Sequence, residues 1–160
     1  MPLVLTAHKI TGTISKSQGD HITQKEMETR IEKLLEMPYR IIDILPGQVP
    51  ADSPGHYFAI EEYFLDKQLA EIKQKHINVI LKLNCYREIF IDGEPEGNPP
   101  PERIAEEMRS RYLSILVDDA MIVSEPDETY MTLYHPDEKL LNLVKAIAAG
   151  EGLFVWQPPV

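Results

Sequence analysis

Short stretches that favour β-strands alternate along this chain with segments whose apolar residues recur at the spacing of an α-helix. The strand-like stretches are rich in β-branched and aromatic residues, and several alternate apolar with polar side chains. They read LVLTAHKITGTI, YRIIDIL, HYFAIEEYF, INVILKL, REIFID, ILVDDAMIV, TYMTLY and LFVWQ. This alternation restricts the chain to a mixed α+β fold in which helices cover one face of a sheet.

Four segments carry an apolar stripe at helical spacing, and each follows a residue that suits the start of a helix. These starting residues are Thr23, Asp66, Pro101 and Asp137, and Thr23 with Glu26 has the spacing of a capping box. The four stripes are Met27, Ile31, Leu34 and Leu35; Leu69, Ile72 and His76; Ile104, Met108 and Tyr112; and Leu140, Leu143, Val144 and Ile147.

The order of these elements predicts an architecture. It reads β-α-β-β-α-β up to residue 83 and the same again from residue 87, which is the order of the ferredoxin-like motif. The sequence therefore predicts a two-layer α/β sandwich of tandem ferredoxin-like units within one compact domain, residues 1–160, with pseudo-repeats 1–83 and 87–157. A faint echo supports the duplication, although any strand followed by a capped amphipathic helix would produce a similar one. The paired residues are Tyr63 and Tyr134, Asp66 and Asp137, Leu69 and Leu140, and Ile72 and Leu143.

Three consecutive prolines, Pro99 to Pro101, suggest a domain linker, a docking peptide or the entrance to a helix. A docking peptide of the proline-rich kind needs two prolines in the spacing PxxP, which this run lacks. We expect a helix entrance, because Pro99 and Pro100 stiffen an extended approach and Pro101 suits the first turn. The loop SKSQGDHITQKE is its counterpart in the first predicted unit, and long loops of this kind often carry function.

The charge of the chain is strongly acidic and unevenly distributed. Its 16 Lys and Arg face 26 Asp and Glu, a net charge of −10. Residues 1–83 hold 10 basic and 11 acidic side chains, whereas residues 84–160 hold 6 and 15. Such a field repels phosphate backbones, so we expect no nucleic-acid partner, and a basic protein would be attracted to the second half.

The cysteine content and the hydrophobic pattern predict a cytoplasmic protein. Cys85 is the single cysteine, which excludes an internal disulfide and fits a reducing compartment. The start, MPLVLTAHKI, lacks the basic stretch and long apolar core of a secretory leader. No apolar run approaches the roughly 18 residues of a membrane helix, so we expect no membrane association.

Few residues suggest chemistry. The familiar nucleotide-binding glycine loops, the nucleophilic serine motifs and the HExxH zinc motif are all absent, so we expect no cofactor. His76 falls on an apolar stripe, which favours a core histidine over a ligand. Asp118 and Asp119 follow an apolar strand and could supply oxygen ligands to a hard cation. With His135 they are the candidate metal ligands, although the pattern favours a solvated acidic hairpin over a metal site.

Three functions from different classes fit these features. The first is a non-catalytic binding or regulatory module whose acidic second half engages a basic protein partner. The second is a sensor that binds a small molecule between its two units. The third is a small metal-assisted enzyme that uses Asp118 or Asp119 with a histidine. The sequence favours the first and leaves the ligand, the catalytic residues and the oligomeric state open.

Overall fold

A computed structural model describes residues 23–159 of the chain. The strand predicted in LVLTAHKITGTI lies outside the described residues, as does most of the loop SKSQGDHITQKE. The described helices are α1 (Gln24–Leu34), α2 (Tyr57–Lys67), α3 (Leu69–Asn84), α4 (Pro101–Ser110) and α5 (Glu138–Gly150). The described strands are β1 (Tyr39–Asp43), β2 (Ile89–Ile91), β3 (Leu113–Val117), β4 (Ala120–Ser124), β5 (Met131–Tyr134) and β6 (Phe154–Trp156). The predicted mixture of helices and strands is confirmed.

The six strands form one open antiparallel sheet in the order β2-β3-β4-β5-β1-β6. Strands β5 and β6 are both antiparallel to β1, which lies between them, and α5 connects them along the chain. They therefore form one split β-α-β unit, with β1 inserted from the first half of the chain. The repeated ferredoxin-like order is not observed, because residues 23–83 contain one strand and three helices.

The main core lies between the sheet and helices α3, α4 and α5. The inward side chains of the strands supply half of its twenty buried members, and α3 supplies four, more than α4 or α5. The fully buried members include Ile77, Ile80 and Leu83 of α3, Ile104 and Met108 of α4, Val144 of α5, and Ile42, Ile115, Ile122 and Leu133 of the strands. Burial of each such side chain contributes about 1.5–3 kcal/mol relative to its exposure.

Helix α1 lies on the opposite face of the sheet and makes a second, smaller core. Its Met27 and Leu34 pack with Leu116, Met121 and Val123 of β3 and β4. The prediction that all helices cover one face is therefore wrong. Apolar side chains alternate to both faces of the buried strands β3 and β4, so both faces need a covering layer.

Two predicted strands are helical. The stretch HYFAIEEYF falls largely in α2 and INVILKL lies entirely in α3. In the second case the β-branched residues continue the helical stripe that begins at Ile72, and burial of that stripe outweighs their preference for strands. Asp66 lies inside α2 and does not cap α3, whose N-cap residue is Gln68.

Three predicted helix starts are confirmed. Thr23 Oγ1 accepts a hydrogen bond from the Glu26 amide at 3.2 Å, and Asp137 Oδ1 accepts one from the Leu140 amide at 2.7 Å. Helix α4 begins at Pro101, so the proline run is a helix entrance as expected. Pro99 is buried.

No described helix has the length and hydrophobicity required to cross a lipid bilayer.

The assigned core predicts different costs for one substitution at two places. Ile80→Ala should lower the free energy of unfolding by about 2–5 kcal/mol, because it leaves a cavity at a fully buried site. Ile60→Ala makes the same change at a side chain of α2 that is 52% exposed, and it should alter the free energy of unfolding by no more than about 0.5 kcal/mol. Chemical denaturation of both variants measures the difference. Equal losses would contradict this assignment of the core.

Candidate functional site

The three candidate metal ligands lie close together at one end of the sheet. Val117 pairs with Ala120, so Asp118 and Asp119 form a two-residue turn between β3 and β4. His135 directly follows β5. A small cavity of about 120 Å³ is lined by Asp118, Asp119, Ala120, His135, Pro136, Asp137 and Leu140.

The acidic turn is occupied by arginines. Arg87 Nε donates to Asp118 Oδ2 at 3.0 Å, and Arg30 of α1 donates to the Asp118 carbonyl. The Arg30 guanidinium also lies 3.7 Å from Asp119 Oδ1. The turn therefore holds α1 against the end of the sheet by charge as well as by packing.

The arrangement gives no support to a metal centre. Within residues 23–159, no group of three His, Cys, Asp or Glu side chains has the geometry of a metal site. The role of Asp118, Asp119 and His135 as ligands therefore stays a prediction from the sequence. Their observed environment is that of a solvated acidic hairpin, with both aspartates exposed.

A different group of ionisable residues lies at the opposite end of the sheet. Lys73, in the first turns of α3, is only 3% exposed, and His76 one turn later is fully buried. The Lys73 ammonium lies 3.2 Å from His76 Nδ1 and also donates to the carbonyl oxygen of Glu125, which follows β4. A lysine is rarely buried this completely without a paired carboxylate.

Burial determines the protonation of both side chains. Loss of solvation lowers the pKa of Lys73 to about 8, although the carboxylates of Glu128, Asp127 and Glu125 act in the opposite direction. Burial, helped by the charge of Lys73, lowers the pKa of His76 to about 3, so its ring is neutral near pH 7. Because Nδ1 accepts from Lys73, the ring proton is on Nε2, an atom without a hydrogen-bond partner of ordinary geometry among the described residues.

Carboxylates from three elements are linked electrostatically to Lys73, either directly or through one another. Glu125, Asp127 and Glu128 belong to the connection between β4 and β5, Asp43 ends β1, and Glu61 lies in α2. Burial raises the pKa of Glu128, and the neighbouring Glu125 and Glu61 raise it further. Burial also raises the pKa of Asp43, despite hydrogen bonds that this carboxylate accepts. One of these comes from Trp156 Nε1 at 3.3 Å and another from the Ile44 amide at 2.7 Å.

Helix α2 adds exposed aromatic residues beside these acids. None of its residues is buried, although most are apolar, and Phe58 is 81% exposed. Ile60 and Tyr63 are also more than half exposed. Tyr57 is tied to the acidic group, because its hydroxyl donates to Glu61 Oε2 at 2.6 Å. That hydrogen bond raises the pKa of Tyr57 to about 12.

Electrostatic interactions link α2 and these five carboxylates into one group, because Tyr57 interacts with Glu61, Asp43 and Glu128, and Glu128 with Glu125 and Asp127. We call it the acidic–aromatic surface, and it comprises α2 with the carboxylates of Asp43, Glu61, Glu125, Asp127 and Glu128. Three of the five acids belong to the acidic second half of the chain, and two come from the first half. The folded protein therefore brings together carboxylates that are widely separated along the chain.

The sequence pointed to only part of this region. Glu125, Asp127 and Glu128 are close together in the sequence itself, and His76 was correctly placed in the core. Lys73 was missed. Its position three residues before His76, next to Ile72 on the buried stripe, was the available signal, since residues three apart share one helix face.

Comparisons of the chain with protein-family models, with curated proteins and with solved structures give no match.

The buried lysine predicts a characteristic pH dependence of stability. In the unfolded chain Lys73 has its ordinary pKa of 10.5, so between pH 8 and pH 10 the unfolded state binds more protons than the folded state. Stability should therefore rise across this window, by about 2 kcal/mol. Above pH 10 the raised pKa of Tyr57 acts in the opposite direction, because the folded state then holds the extra proton.

Urea denaturation at a series of pH values measures this effect. Lys73→Met should remove the rise between pH 8 and pH 10, because the variant lacks the buried amine whose pKa differs between the folded and unfolded states. Lys75→Met, two residues along the same helix, should retain it. A rise that persists unchanged in Lys73→Met would show that the buried lysine is not its source.

Proposed function

We propose that this protein is a non-catalytic binding module, and that its acidic–aromatic surface engages a basic segment of a protein partner. The observation that carries the proposal is helix α2, which is largely apolar and yet has no fully buried side chain, Phe64 and Leu65 being only half-buried. Such a helix gains little from the fold that it belongs to. A partner that covers it would supply the missing burial.

The aromatic side chains of α2 fit the role of binding anchors. Phe58 and Tyr63 present large rigid surfaces, which lose little conformational entropy when a partner covers them. Phe154 at the start of β6 is a further exposed aromatic residue at this end of the sheet, paired across the strands with Asp43. An occupant of α2 needs its own apolar side chains to match these rings.

The negative charge of the surface favours a partner that is basic as well as apolar. Lys73 is buried beneath the five carboxylates of this surface, while Lys67 of α2 lies 3.2 Å from Asp66 Oδ2 in an ion pair of its own. Lysine and arginine side chains of a partner would form ion pairs with these acids, and their cations would also stack on the exposed rings. The expected occupant is therefore an amphipathic basic segment that docks as a helix against α2.

The remaining expectations agree with this proposal. A chain with a net charge of −10 repels nucleic acids, which leaves a basic protein as the natural polyionic partner. Cys85 is exposed and free, as suits a reducing cytoplasmic setting. The cavity beside Asp118 holds about 120 Å³, well below the roughly 300 Å³ at which typical small-molecule sites begin, so this cavity does not favour the sensor. A second cavity, of about 380 Å³ beside Thr23, Lys25, Glu26 and Thr29, contains none of the candidate site residues.

A defined probe tests the proposal directly. The probe is a synthetic amphipathic helix of arginine, leucine and alanine, acetylated and amidated at its ends, and its glutamate counterpart serves as the negative control. Titration can be followed by the fluorescence of Trp156, the single tryptophan, which contacts Asp43 within the surface. We expect the basic probe to bind, with an affinity that falls as salt is added.

Matched variants locate the binding site. Phe58→Ala should weaken probe binding about tenfold or more, whereas Tyr86→Ala, at a ring that is 64% exposed away from α2, should not. Glu125→Gln with Glu128→Gln should weaken it by several-fold at low salt, and Glu106→Gln on α4 should leave it unchanged. Absence of probe binding, or binding that ignores Phe58, would refute the proposed function.

A further inference from the structure

We infer that occupation of the acidic–aromatic surface by a basic segment expels a proton from Lys73, so that binding at this surface is linked to pH. The inference rests on the proposed function, because it concerns regulation of the same surface. Its basis is the position of Lys73 directly beneath the acids that a basic partner would contact.

The charge of Lys73 is stabilised by nearby carboxylates that do not touch it directly. Its ammonium donates to the Glu125 carbonyl and to the neutral ring of His76, neither of which carries a charge. None of the ion pairs within 4.0 Å between described residues includes Lys73. Its charge is therefore stabilised through space by Glu125, Asp127 and Glu128.

Ionisable groups of α3, the β4–β5 connection, α2 and β1 act on Lys73 either directly or through one another. Helix α3 itself contributes neutral His76, and the β4–β5 connection contributes the three carboxylates. Glu61 of α2 acts on Glu128, and Asp43 of β1 interacts with Glu61. Each of these acids is also within the surface that a partner's cations would occupy.

Two effects of an incoming basic segment act on Lys73 in the same direction. The partner's cations repel the buried ammonium and take over the carboxylates that stabilise it. The partner's apolar side chains also exclude water from the turn, which raises the cost of a buried charge. Both lower the pKa of Lys73 below its value of about 8 in the free protein. Because that value is close to neutral, a measurable fraction of Lys73 must then lose its proton.

The sign of the linkage follows from proton counting. The complex holds fewer protons than the separated molecules, so a higher pH favours the complex. Affinity should increase between pH 7 and pH 9, by at most about tenfold for each pH unit when one proton is released. It should level off once Lys73 is neutral in the free protein as well.

Isothermal titration calorimetry with the arginine-containing probe measures the protons released. The experiment is run near pH 8 in two buffers that differ in ionisation enthalpy, and arginine does not titrate in this range. The wild-type protein should release a substantial fraction of one proton, and Lys73→Met none. Lys75→Met is the control and should behave as wild type. Lys73→Arg, permanently charged, should also lose the pH dependence and bind more weakly than Lys73→Met.

A measurement on the unmodified protein guards against variants that fail to fold. The titration of Lys73 can be followed by NMR of its side chain with and without the probe, and its midpoint should move to lower pH in the complex. An unchanged midpoint, or wild-type proton release from Lys73→Met, would overturn the inference. If the probe still binds and depends on Phe58 in that case, the proposed function stands; if the probe does not bind at all, both fail.

Discussion

The burial of helix α3 against the sheet is the constraint on which the rest of the described structure depends. Ile77, Ile80 and Leu83 project from α3 into the main core. Helices α4 and α5 both pack against α3 in the same layer. Among the five helices within residues 23–159, α3 is the one whose buried face contains ionisable side chains, Lys73 and His76. The apolar part of α3 supplies the free energy that offsets the cost of burying these two polar groups near its start.

The buried Lys73 of α3 also positions the connection from β4 to β5. The connection from β4 to β5 carries three carboxylates in four residues, and these carboxylates repel one another unless a cation lies nearby. Lys73 supplies that cation from below and also binds the connection through the Glu125 carbonyl. The carboxylates are thus held facing outward beside the exposed rings of α2. Core packing and surface charge are in this way parts of one arrangement.

The sequence predicted those features that depend on local physical rules. The caps at Thr23 and Asp137 and the helix start at Pro101 each follow from the chemistry of a few neighbouring residues, and all three are observed. The segment INVILKL was assigned wrongly because its β-branched residues satisfy both a strand and a helix pattern. Only the long-range contact of Ile77 and Ile80 with the sheet decides between the two. The insertion of β1 between β5 and β6 is equally non-local and left no pattern in the sequence.

The candidate site shows the same division. The acidic character of residues 125–128 is evident from the sequence alone, but the hydrogen bond from Lys73 to the Glu125 carbonyl joins residues that are far apart along the chain. Asp118, Asp119 and His135 were brought together as the sequence suggested. Their pairing with Arg30 and Arg87 could not be anticipated, since it depends on which face of the sheet α1 occupies.

The separation of the two cores has a consequence for how cooperatively the molecule opens. Helix α1 is held by a small apolar cluster and by Arg30, whereas α3, α4 and α5 share the main core on the other side of the sheet. Its detachment would disturb few of the contacts that hold the other helices, so α1 can behave as a folding unit of its own with a lower opening free energy. Amide protons of α1 would then exchange with solvent sooner than those of α3. Leu116, Met121 and Val123 would then be transiently exposed as an apolar surface of β3 and β4 that is prone to association, while the remainder of the protein stays native.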